Sequence, residues 1–151
     1  GMNHAGEITP LTRMVKPDIA IITNVEAVHI ENLGTIEAIA DAKAEIFAGV
    51  EHGGAAVLPR DNRFYDRLAR AARAAGIETI ISFGEHEEAD VRMLRVVLSA
   101  DCSTVSARIM GTDVTYKIGA PGRHLATNSL AVLAAAKLAG ADLAVAALAL
   151  G

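Results

Sequence analysis

The sequence has no tryptophan, one cysteine and few aromatic residues of any kind. The single Cys102 cannot close an internal disulfide, so a reducing compartment such as the cytoplasm is the expected setting. Set in the polar string SADCSTVS, Cys102 reads as a small core or turn residue rather than a nucleophile. With aromatics at only 3%, the core must be assembled from Ala, Val, Ile and Leu, the palette of an α/β protein with closely packed helices. An apolar fraction of 52% and a mean hydropathy of +0.33 exclude a disordered chain. No apolar run reaches membrane-spanning length, because Arg, Asp, Glu or Gly interrupts each one. The opening GMNHAGEITP has no basic start followed by an apolar stretch, so neither a signal peptide nor membrane insertion is expected. Lys and Arg are scattered, and a net charge of −4 argues against a nucleic-acid surface.

At 151 residues the chain is long enough for one ordinary domain with a real core. Thr9-Pro10 reads as an N-cap followed by proline at the first helical position, opening a short helix through Met14. Pro17 breaks the chain before DIAIIT (residues 18–23), a continuous apolar run typical of a strand buried on both faces. A helix opens at Thr35 and ends before Gly53-Gly54. AAVLP (55–59) is a second buried strand, and Asp61 can cap a helix over 62–75 that stops at Gly76. ETIISF (78–83) is a third strand. This β-α-β-α-β alternation implies a mostly parallel sheet in a three-layer α/β fold, flanked by helices. From Asp90 the character changes. VRMLRVVLS, STVSARIM and DVTYKIG read as a small antiparallel meander, with a turn signal at Gly111-Thr112-Asp113. Residues 125–139 are apolar nearly all round and should form a buried helix closed by Gly140, with a last short helix beginning near Asp142.

One residue conflicts with this pattern. On the helix opening at Thr35, Ile36, Ile39, Ala40, Ile46, Phe47 and Val50 share an apolar stripe, and Lys43 lies on it. Glu37, Asp41 and Glu45 face the other way. An amine on a buried face must snorkel, lose its proton, pair with a charge or be chemically modified. A neutral buried amine can react with carbon dioxide to give a carbamate, an anionic oxygen ligand suited to Mg²⁺. The loop before this helix follows a strand's carboxyl end, where open parallel sheets bind ligands. It holds Thr23, Asn24, Glu26, His29 and Glu31; His29 is either a metal ligand or a loop histidine bonded to backbone.

GMNHAGEI, TNVEAVHIENLGTIEAIADAKAEIF and GRHLATNSLAVLAAA resemble consecutive motifs of the Mur ligase family, in the family's order and over nearly the whole chain. The NH-x-GEI and AK-x-EIF pieces resemble most the member that joins D-alanyl-D-alanine to UDP-MurNAc-tripeptide. The resemblance implies an ATP- and Mg²⁺-dependent ligase of peptidoglycan synthesis that works through an acyl phosphate. It implies that Lys43 is carbamylated and that His29 and Lys43 bind magnesium and serve catalysis. It implies that Asn24, with Thr23, lines the phosphate and substrate-carboxylate region, and that Asn128, with His124, meets the nucleotide. Asn3 and His4 match a pair near the cleft on the substrate side. Leu125 departs from the family, which usually has a polar residue there, and Ala5 stands where proline is common.

No Gly-x-x-x-x-Gly-Lys-Ser/Thr phosphate loop occurs in the chain; GAPGRH lacks the lysine and hydroxyl. The expectation is therefore a partial central ATP-binding domain (residues 1–151) without the phosphate loop, the N-terminal UDP-binding domain or the C-terminal domain, inactive alone and prone to dimerise through an exposed sheet edge. The alternatives are another Mur ligase, a folylpolyglutamate synthase-like ligase, or a non-catalytic α/β binding module derived from one.

Overall fold

In a computed structural model of the chain, residues 3–27 and 33–151 are described. They group into two compact units, Gly1–Ile80 and Ile81–Gly151. The fold is α/β, with six strands in one sheet whose order follows the chain, β1 to β6, flanked by helices.

The first unit begins with α1 (Ile8–Val15) and β1 (Ile19–Ile21), then α2 (Ile36–Ala44), a 3₁₀ turn (Glu45–Gly49), β2 (Ala55–Pro59) and α3 (Tyr65–Ala74). β1 and β2 pair in parallel, Ile19 with Ala55 through Ile21 with Val57, and the Ile22 N–H continues the ladder to the Val57 carbonyl. β2 is buried at all five positions, as its unbroken apolar run requires, whereas β1 alternates, with Ile19 and Ile21 only half-buried. The core gathers Ile22, Ile39, Ala40, Phe47, Leu58, Leu68 and Ala72.

Three helix boundaries differ from those the sequence suggests. Thr9 does not cap α1: the helix starts at Ile8, two residues before Pro10, and Glu7 at the cap position makes no side-chain cap bond. Pro10 is accommodated because N–H groups of the first turn have no intrahelical partner in any case. Thr35 does cap α2, accepting from the Ala38 N–H at 3.1 Å, but the helix does not run on to Val50. It tightens into the 3₁₀ turn after Ala44, where the Thr12 hydroxyl bonds the Ile46 carbonyl at 2.6 Å. Gly49 lies under the same spot. A Cβ there would sit 2.3 Å from the Thr12 carbonyl, so α1 and the turn pack backbone to backbone. The third helix starts at Tyr65 rather than at Asn62, because Asn62 folds into a turn: its side-chain oxygen accepts from the Phe64 N–H and its carbonyl from the Tyr65 N–H.

In the second unit, β3 (Thr79–Gly84) reaches in from residue 79 and pairs in parallel with β4 (Val91–Leu98) over only two positions, Phe83 with Val91 and Gly84 with Arg92. So short an overlap explains how a six-residue link serves where parallel neighbours ordinarily need a long crossover. Asp90 shapes that link: its carboxylate accepts from both the Ser82 N–H and hydroxyl. β4, β5 (Ser103–Ile109) and β6 (Thr112–Ile118) then form the antiparallel meander. Cys102 is a free, half-buried residue whose carbonyl closes the β4–β5 turn by accepting from the Ser99 N–H.

The β5–β6 turn is Met110-Gly111, one position earlier than the composition suggests, with φ of 47° and 85°. Two positive φ values match the right-handed strand twist. Lys137 holds the turn by donating from Nζ to the Ile109 and Met110 carbonyls. The helix bearing Lys137, α4 (Arg123–Leu138), packs on β4 and β5. It buries Ala126, Leu130, Leu133 and Ala134 on one face but leaves Val132 48% exposed, so its apolar composition overstates its burial. α5 (Leu143–Leu148) follows, capped by the Asp142 carboxylate on the Val145 N–H. Among the described residues no helix is long and apolar enough to cross a membrane.

Candidate active site

The loops after β1 and β2 leave the carboxyl ends of neighbouring parallel strands, the usual ligand position in such sheets. Thr23 and Asn24 are exposed there, while Val25 is buried and anchors the loop. Asn62, from the second loop, stitches the two together: its Nδ2 donates to Asn24 Oδ1 at 2.8 Å and to the Val25 carbonyl at 2.9 Å. Asn24 also accepts from the Val25 N–H at 2.9 Å and donates from Nδ2 to Glu26 at 2.7 Å. His29 and Glu31 lie outside the described residues.

Lys43 occupies the last turn of α2 and is half-buried, between buried Ala42 and half-buried Ala44. It does not sit on a fully buried stripe as the uniform helical period implied: the stripe's later members fall in or after the 3₁₀ turn, where Ile46 and Val50 are only half-buried. No hydrogen bond or ion pair among the described residues engages its amine.

Two residues further on, the Glu45 carboxylate crosses to α1. It accepts from the Gly6 N–H at 2.5 Å, the Thr9 N–H at 3.1 Å and the Thr9 hydroxyl at 3.1 Å. It therefore caps the helix that Glu7 and Thr9 leave uncapped, and its negative charge suits a helix N-terminus. Burial pushes the Glu45 carboxyl up, but the N–H groups of Gly6, Thr9 and Ile8 together outweigh it and hold the group below the ordinary glutamate value. Glu7 in turn accepts from the Asn3 N–H at 2.7 Å and meets the His4 ring nitrogen at 3.1 Å, and these contacts lower its own pKa. Asn3 and His4 are exposed. The two glutamates thus tie the Asn3-His4 pair to the segment that carries Lys43. The sequence displays both inside motifs, but their partners lie up to 39 residues apart and periodicity does not reveal them.

In the second unit His124 and Asn128 stand one turn apart on α4, His124 exposed and Asn128 half-buried. The loop before them is pinned by Ser103, whose hydroxyl donates to the Ala120 carbonyl and accepts from the Gly122 N–H. Gly122, at φ 133°, backs onto the imidazole: a Cβ there would lie 3.0 Å from His124 Cε1. Arg123 pairs with Glu85. The described residues contain no group of three or more His, Cys, Asp or Glu placed to hold a metal ion.

A βαβ unit, followed in the chain by a meander and an apolar helix, defines a class, and the comparison with known proteins identifies it. Residues 1–136 match the Mur ligase middle domain, and the chain belongs to that family. It is 30% identical over 143 residues to the UDP-N-acetylmuramoyl-tripeptide–D-alanyl-D-alanine ligase of Rickettsia prowazekii, covering 95% of this chain and 32% of that protein. It is 38% identical over 125 residues to the UDP-N-acetylmuramate–L-alanine ligase of Streptomyces coelicolor, covering 82% of this chain and 26% of that protein. A crystal structure of MurF from Acinetobacter baumannii superposes with a TM-score of 0.89 at 26% identity, covering 97% of this chain and 31% of that one. The chain spans about a third or less of the length of these relatives.

Proposed function

We propose that the complete protein is a cytoplasmic ATP-dependent peptide ligase that adds D-alanyl-D-alanine to UDP-MurNAc-tripeptide in peptidoglycan synthesis. The observation that carries this reading is the Glu45 junction, where the Asn3-His4-x-Gly6-Glu7-Ile8 and Ala42-Lys43-x-Glu45-Ile46-Phe47 motifs meet as one structural piece. The match to a D-alanyl-D-alanine ligase over 95% of the chain supports it. A second reading, addition of L-alanine to UDP-MurNAc, is favoured by the higher identity to an L-alanine ligase over a shorter stretch.

In either case ATP phosphorylates a substrate carboxylate, and the incoming amine attacks the acyl phosphate and releases phosphate. The protein's task is to hold clustered negative charge in line for transfer. Asn24, flanked by Thr23, offers an N–H donor to phosphate or carboxylate at the mouth of the sheet. Asn3 and His4 line the substrate side, and His124 and Asn128 receive the nucleotide. Lys43, half-buried and with its amine unpaired among the described residues, would by this reading take up carbon dioxide as a carbamate. The carbamate and the His29 imidazole would then hold Mg²⁺. That donor set fits a cation that keeps several waters and binds through one or two anionic groups plus substrate phosphate. Bound Mg²⁺ supplies neutralisation of the phosphate charge. By this reading the chain is part of the central ATP-binding domain, and turnover needs the rest of the polypeptide.

The deciding experiment measures phosphate release by the complete protein with ATP and either UDP-MurNAc-tripeptide plus D-alanyl-D-alanine or UDP-MurNAc plus L-alanine. Release dependent on the dipeptide is expected. Release only with L-alanine establishes the second reading, and release with neither sinks both.

A further inference from the structure

Neither amide in the Asn24–Asn62 pair is ambiguous in orientation. The Phe64 backbone N–H can only donate, so the atom of Asn62 that it meets at 2.9 Å is the oxygen. Nδ2 of Asn62 must then face the Val25 carbonyl, which can only accept, and Asn24 Oδ1. The Val25 N–H, again a pure donor, independently requires an oxygen at the same atom of Asn24. Backbone groups thus fix both amides at once. Asn24, an exposed residue, is left with its NH₂ on the side of the amide opposite those contacts, one hydrogen given to Glu26 and the other without a partner among the described residues.

We infer that Asn62 is a positioning residue: it locks the Asn24 amide with its donor side outward, making this loop a site for an anionic oxygen of phosphate or carboxylate. The inference deepens the proposed ligase reading and rests on it for the identity of the ligand, while the locking itself stands on geometry alone. Asn62→Asp is the informative substitution. Its second oxygen would confront Asn24 Oδ1 and the Val25 carbonyl, acceptor against acceptor. Rotating the Asn24 amide to relieve this would set its NH₂ against the Val25 N–H and its oxygen against the Glu26 carboxylate. No arrangement satisfies every partner.

The test has two arms. In the isolated chain, the side-chain amide resonances of Asn24 are followed by ¹⁵N NMR in wild type, Asn62→Asp and Asn62→Ala. Both substitutions should shift the Asn24 pair and speed its exchange; unmoved resonances overturn the locking. In the complete protein, KM for ATP or for the carboxylate substrate should rise roughly tenfold in Asn62→Asp, the scale of one lost charge-assisted hydrogen bond, with kcat changed less. Asn62→Ala, which adds no repulsion, should fall between. Shifted resonances with an unchanged KM in an active ligase overturn the anion-binding role. A wild-type protein with no ligase activity sinks the reading under Proposed function instead, and the spectra alone then decide the locking.

Discussion

Replacing Glu45 should loosen α1 specifically. The carboxylate receives three hydrogen bonds at the start of that helix, and no side chain of the helix's own caps it. Each hydrogen bond to a charged group contributes about 1.5–3 kcal/mol where water is excluded. Glu45 is only half-buried, so the scale of an ordinary N-cap, about 0.5–2 kcal/mol, is the better guide. Glu45→Ala should therefore cost about 2 kcal/mol, and Glu45→Gln, whose amide oxygen still accepts, about 1 kcal/mol. If α1 opens without the rest of the first unit, native-state hydrogen exchange at the Gly6 and Thr9 amides should quicken roughly 30-fold in Glu45→Ala, with core amides such as Leu58 unaffected. The pH dependence has a definite sign. The carboxyl's folded pKa is lowered, so its stabilisation is full above the unfolded glutamate value and is lost as pH falls through the folded one. Protection at Thr9 should fade on that acid limb in wild type and stay flat in Glu45→Gln. Unchanged Thr9 exchange in Glu45→Ala would refute the cap.

Gly49→Ala should destabilise the first unit by about 3 kcal/mol or more, read as a lowered urea midpoint, because the new methyl would collide with the Thr12 carbonyl 2.3 Å away; a midpoint equal to wild type would contradict the close packing. In the second unit, Ser129 gives its proton to the Ala126 carbonyl, so the buried Tyr116 hydroxyl must be the donor to Ser129. Tyr116→Phe leaves Ser129 satisfied and should cost about 1 kcal/mol, whereas Ser129→Ala strands a buried hydroxyl and should cost about 2–3 kcal/mol. Equal losses would reverse the assigned direction. In the complete protein, Lys43→Ala should abolish turnover and added acetate should partly restore it; full activity without acetate would rule out a carbamylated Lys43.

The order of elements, the strands β2, β4, β5 and β6 almost to the residue, the helix starts at Thr35 and near Asp142, and the family are legible in the sequence. These are local or nearly local properties: a run of apolar residues, an alternating pattern, a polar residue opening a helix. The helical pattern also singles out Lys43, and the resemblance to the family adds Asn24, Asn3 and His4. Tertiary structure alone decided what holds them. The α1 cap comes from Glu45 rather than Thr9, because a carboxylate distant in the chain reaches the helix start where no local side chain does. The helix of Lys43 stops at Ala44, because a turn pressed against α1 through Gly49 and Thr12 must tighten there. Asn62 leaves the helix assigned to it from composition and orients Asn24 across the gap between two strand ends. In each case the deciding partner is remote in sequence and adjacent only after the strands have paired, so the physics that fixes it acts across distances that no local pattern records.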